Sequence, residues 1–120
     1  MGISVNQTDD QFIESMVNAG YLAEPDHELR DLIIEPFYKN PTAAALTIMY
    51  EGGGIIMRFK NFDPVDPIKL GYVAHEALHA TSFMLNSKNI IFNDDTEEVY
   101  AYTLGYITSL FYKEMFKWIS

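Results

Sequence analysis

The stretch Asp66-Pro67-Ile68-Lys69-Leu70-Gly71-Tyr72-Val73-Ala74-His75-Glu76-Ala77-Leu78-His79-Ala80-Thr81-Ser82-Phe83-Met84-Leu85 decides how the rest of the chain is read. Asp66 is a helix-capping residue, and Pro67 fits the first helical position, where its missing N–H is no loss. Ile68, Val73, Ala74, Ala77, Leu78, Thr81 and Leu85 recur along the predicted helix until Asn86, Ser87 and Lys88 end the pattern. A long helix is therefore predicted here, with His75-Glu76-Ala77-Leu78-His79 in its middle. Residues four apart on a helix are rotated by only about 40° beyond one turn, so His75 and His79 project side by side. Both imidazoles can then reach one cation. Glu76 projects about a quarter turn from His75, where a carboxylate can take a proton from a water on the ion.

Two imidazoles hold a catalytic zinc ion weakly, because such ions generally have three protein ligands and one open position. Cysteine is absent from the chain, so the third ligand has to be a carboxylate or another imidazole. Downstream, Asn93, Asp94, Asp95 and Thr96 form a helix-start signal, and a final helix is predicted from about Glu97 to Trp118, with acids at its positive end. Neighbouring helical residues differ by about 100°, so only one of Glu97 and Glu98 can face the metal. Glu98 is the expected ligand, with 18 residues between it and His79.

Upstream, Leu46, Ile48 and Tyr50 alternate with Ala45, Thr47 and Met49, and Gly52-Gly53-Gly54 then precedes Ile55 to Lys60. A β-hairpin is predicted. In its second strand Ile55, Met57 and Phe59 face one way and Ile56, Arg58 and Lys60 the other. This pattern suggests a half-exposed strand bordering a cleft, with a free edge for an extended peptide. No Gly-Lys-Ser/Thr follows the glycines, so they make a turn and not a phosphate loop. Two amphipathic scaffold helices are expected before the hairpin. The first has the capping-box pair Thr8 and Gln11, apolar Phe12, Ile13, Met16 and Val17, and a stop at Asn18-Ala19-Gly20. The second begins near Pro25-Asp26, carries Leu29, Leu32 and Ile33, and ends at Pro36; His27 is a solvated residue on it.

Length and charge set the outer bounds. A chain of 120 residues, 48% hydrophobic, has room for one domain, here residues 1–120. Acidic residues outnumber basic ones 17 to 8, a net charge of −9, which argues against nucleic acid as a partner. Met1 to Asp10 lacks the basic start and apolar centre of a secretion signal, and no run of about 18 apolar residues could span a bilayer. A cytoplasmic protein without a membrane partner is expected. Phe111, Tyr112, Phe116 and Trp118 on the last helix suggest either core or a homo-oligomer surface.

The His75-Glu76-x-x-His79 motif with a later helical glutamate resembles the gluzincin group of zincin metallopeptidases. The likeness covers roughly residues 55–105, and its size is similar to minimal one-domain gluzincins and to small zincin-like proteins of phages. The gap ending in Glu98 is similar to that of M1-like aminopeptidases, which favours Glu98 over Glu97. Metzincins are not matched, since Ser82 and Leu85 stand where they require glycine and histidine. The resemblance implies an α+β zincin-like fold of two N-terminal helices, a hairpin or small sheet, an active-site helix and a glutamate helix. It further implies Zn2+ held by His75, His79 and Glu98, and hydrolysis of a peptide or protein substrate through a zinc-bound water activated by Glu76.

Two departures qualify the likeness. The stretch Gly53-Gly54-Ile55-Ile56-Met57 has no acid to grip a substrate amine, and Tyr102 stands where thermolysin-like enzymes place an aspartate. Tyr102 is the first candidate for stabilising an oxyanion, ahead of Tyr106, Tyr72 and Tyr50. The competing expectation is a zinc-stabilised binding or regulatory module in which the open position of the ion is idle.

Overall fold

The computed structural model describes residues 1–21, 44–49 and 54–119, with side chains described through 117. In chain order its elements are β1 (Gly2–Val5), α1 (Asp9–Asn18), β2 (Ala45–Met49), β3 (Ile55–Phe59), α2 (Pro67–Asn86) and α3 (Glu97–Ile119). The architecture is α+β, with three helices around a small mixed sheet among the described residues. The expected helix after Pro25-Asp26, His27, Tyr50, the turn residues Gly52 and Gly53, and the side chain of Trp118 lie outside the described set.

The local signals at the helix starts act as expected. Thr8 and Gln11 form the reciprocal capping box of α1, and Gly20 follows its end with φ of 81°. The Asp66 side chain accepts from the Ile68 N–H at 2.9 Å, with proline at the start of α2. Before α3, the Asn93 side chain accepts from the N–H groups of Asp95 and Thr96 at 2.9 and 3.1 Å, closing the turn that launches the helix. No helix among the described residues is long and apolar enough to cross a membrane.

The sheet corrects the expected half-exposed strand. Its order is β1-β3-β2, with β1 parallel to β3 and β2 antiparallel to it, Met49 opposite Ile55 and Ala45 opposite Phe59. All five residues of β3 are buried, and both of its edges are taken. The alternation itself holds. Ile55, Met57 and Phe59 join the core beneath α2 and α3, whereas Ile56 packs with Phe12, Ile13 and Met16 of α1. Helices cover both faces, so both sets of side chains are inside. A peptide cannot add to β3; the outer strands among the described residues are β1 and β2.

Burying Arg58 on the α1 side requires compensation. Its guanidinium bonds Asp9 at 2.7 Å and the Gln7 carbonyl at 3.2 Å, and lies 4.5 Å from the centre of the Phe12 ring. On the opposite face Phe59, Phe62 and Phe111 meet edge to face, with centroids 4.6 to 6.2 Å apart. Phe111 is thus core and not an oligomer surface, whereas Phe116 is exposed. Asn6, with φ of 56°, ties the end of β1 to the segment after β3. Its side chain accepts from the Phe62 N–H at 2.6 Å and donates to the Phe62 carbonyl at 2.9 Å. The small side chains Ala77, Ala80 and Thr81 allow α2 to lie closely against this core.

Candidate metal centre

Helix α2 buries Val73, Ala77, Ala80 and Thr81, and its periodicity therefore turns His75 and His79 outward. The rings meet edge to face, with centroids 4.8 Å apart, and their Nε2 atoms stand 3.2 Å from each other. Two nitrogens bound at about 2.0–2.1 Å to one tetrahedral ion are about 3.3 Å apart, so the pair fits a shared divalent ion. Phe83, one turn on, stacks beside His79 at 6.3 Å and 22°.

Glu76 projects to the side of α2 that meets β2 and is buried, 4% exposed. One carboxylate oxygen accepts from the Thr47 hydroxyl at 3.2 Å, and the same hydroxyl lies 3.1 Å from the Glu76 main-chain carbonyl oxygen. His75, Glu76 and His79 each bring a ligand atom within 4.8 Å of the other two. The donor set, imidazole and carboxylate, suits zinc and similar divalent metals. Thr47 was not singled out from sequence. Its only signal there was a polar side chain in the middle of a strand, on the face opposite Leu46 and Ile48.

Glu98 is exposed in the first turn of α3 and does not belong to this three-residue group. The reason lies in how α3 docks. Tyr100 is buried, and its hydroxyl donates to the Ile90 carbonyl at 2.7 Å and bonds the Asn86 side-chain oxygen at 3.2 Å. The start of α3 is thereby held level with the last turn of α2. Asn86 lies seven residues beyond His79, about 10 Å of helix rise. Like the histidines, Glu98 stands on its helix away from the buried stripe of Tyr100, Ile107 and Phe111. Glu97 is also exposed.

Tyr102 is 77% exposed and Tyr106 62% exposed, both on α3. Tyr72 precedes His75 by three residues on α2, which makes it the phenol that helical spacing brings nearest to the imidazoles. The cavity between α1, β1 and α3, about 410 Å3 and lined in part by Ile3, Met16, Tyr21, Leu110 and Lys113, includes none of the three donor residues. The histidine pair is an open surface site. No family model, no curated protein and no solved structure matches this chain.

Proposed function

We propose that this chain is a zinc-dependent hydrolase of peptide bonds, with His75 and His79 as ligands, Glu98 as third ligand and Glu76 as general base. The carrying observation is the 3.2 Å separation of the two Nε2 atoms with a buried carboxylate beside them. A bound zinc ion supplies a Lewis acid that polarises the scissile carbonyl and makes water a better nucleophile near neutral pH. Glu76 accepts a proton from the attacking water as its oxygen bonds to the carbonyl carbon. The same carboxyl returns that proton to the nitrogen as the C–N bond breaks.

The residues divide these tasks by position. The imidazoles lie in solvent, open to a substrate, whereas Glu76 is drawn inward and oriented by Thr47. Glu98, exposed in the first turn of α3, is the carboxylate proposed to complete the site. Tyr72 and Tyr102 are the phenols proposed to meet the oxyanion. A zinc-stabilised module is the weaker reading, since an ion that only fastens helices has no need of the buried Glu76 carboxylate beside its imidazole ligands.

The test combines zinc quantification with hydrolysis of a diverse peptide pool. Wild-type protein is expected to hold one zinc and cleave; Glu76→Gln is expected to keep zinc and lose at least about 100-fold in rate. Cleavage that survives Glu76→Gln, or zinc-loaded protein without hydrolysis, overturns the catalytic reading.

A further inference from the structure

Glu76 stands between two roles. Its carboxylate is within 4.8 Å of both imidazole donor atoms, so it is a near-ligand. A carboxylate bound to the same ion would lie about 3.3 Å from each nitrogen, a gap that rotation of a glutamate side chain can close. A carboxylate that closes it occupies the position a substrate or water needs and ceases to be a free base. Something has to keep it out.

A side-chain partner of that carboxylate comes from another element. Thr47 on β2 donates its hydroxyl toward Oε2 at 3.2 Å and toward the Glu76 carbonyl oxygen at 3.1 Å. A hydroxyl has a single proton, so the two acceptors share it. The main-chain contact fixes Thr47 against α2, and the side-chain contact draws the carboxylate toward the sheet. Glu76 is 4% exposed, so water competes little for that oxygen.

We propose that Thr47 is a positioning residue that holds Glu76 off the metal and preserves its role as base. This deepens the metal-site reading and rests on it. The hydroxyl is the active part, so serine at position 47 serves and isosteric valine does not. Without the hydroxyl, Glu76 turns outward and becomes an additional ligand.

The test needs no substrate. Cobalt(II), which reports coordination through its visible absorption, is titrated into the full chain as wild type, Thr47→Val, Thr47→Ser, Glu76→Gln and the Thr47→Val/Glu76→Gln double variant. Circular dichroism establishes that each variant is folded. In the expected result, Glu76→Gln and Thr47→Ser bind within about twofold of wild type. Thr47→Val binds about tenfold more tightly with a changed spectrum, and the double variant returns to wild-type behaviour.

If Thr47→Val leaves affinity and spectrum unchanged or weakens binding, the proposal fails while the metal site stands. A change that persists in the double variant also overturns it, because the effect then does not pass through Glu76. Strong loss of metal in Glu76→Gln alone makes Glu76 a resident ligand and likewise ends it. Failure of every form, wild type included, to bind cobalt or zinc overturns the metal site and the proposal together.

Discussion

Nε2 of His75 and Nε2 of His79 face one another at 3.2 Å from adjacent turns of α2. In the metal-free chain that spacing suits a hydrogen bond in which a protonated Nε2 of one ring donates to the unprotonated Nε2 of the other. With an ion between them both nitrogens donate their lone pairs to the same cation. Removing one ring ends either arrangement and leaves the core untouched, because both side chains are exposed.

His79→Ala is therefore expected to lower zinc affinity by at least about 100-fold, beyond the 10–100-fold typical of losing an outer-shell partner. The melting temperature of the metal-free protein should move by no more than about 2 °C. Isothermal titration with zinc and a thermal melt measure the two quantities. Equal affinity for variant and wild type would show that the pair is only a surface hydrogen bond.

Glu98 and Glu97 separate by the same measurement. If Glu98 completes the site, Glu98→Ala weakens zinc binding by about tenfold or more, while Glu97→Ala stays within about twofold. Both residues are exposed at the start of α3, so neither change should cost much stability. Identical affinities for the two variants would remove Glu98 from the ligand set.

The parts of this protein governed by neighbours in sequence were legible from the chain alone. Thr8 with Gln11 and Asp66 with Pro67 announce their helices because a cap is a local hydrogen bond. Side-by-side imidazoles at 75 and 79 follow from helical pitch. What depended on distant segments was not legible. Gly2–Val5 is too short to display a period, and its parallel partner lies more than fifty residues away, so nothing local marks β1, and the alternation in β3 reads as that of a half-exposed strand. Thr47 and Glu76 meet across 29 residues, a contact set by how β2 docks on α2. The sequence gap to Glu98 measures chain length, whereas its distance from His79 is set by the docking of Tyr100 on Asn86 and Ile90.

Arg58 and Asp9 give a stability test apart from the metal. The Arg58 side chain is 1% exposed and that of Asp9 26% exposed, with the charged groups 2.7 Å apart. Removing the acid takes from a buried positive charge the carboxylate that lies 2.7 Å from it, so Asp9→Asn is expected to cost about 1–3 kcal/mol in urea unfolding, the partly exposed acid and the other contacts of the guanidinium keeping the loss below that of a fully buried pair. Adding Arg58→Met removes the charge and keeps an unbranched chain over Phe12. The double variant should recover most of the loss, within about 1 kcal/mol of wild type. A double variant no more stable than Asp9→Asn would mean that packing of the long side chain, and not charge, is what position 58 supplies.

Two glycines should respond in opposite directions to the same substitution. A Cβ at Gly2 would stand 2.6 Å from Met16 Sδ, 3.1 Å from Tyr21 Cδ2 and 3.2 Å from Ile56 Cγ1. Met16 can swing its sulfur aside, but Ile56 sits in the buried layer between β3 and α1 and has little room to give. Gly2→Ala is thus expected to destabilise by about 1–3 kcal/mol, as overpacking does. At Gly105, inside α3, an added Cβ meets nothing within 4 Å. Alanine there lowers the entropy of the unfolded chain and favours the helix, a gain of about 0.5–1 kcal/mol. Paired urea titrations measure both. If Gly2→Ala proves neutral, α1 does not press on β1 as closely as these distances require, and the packing of the first helix against the sheet would need revision.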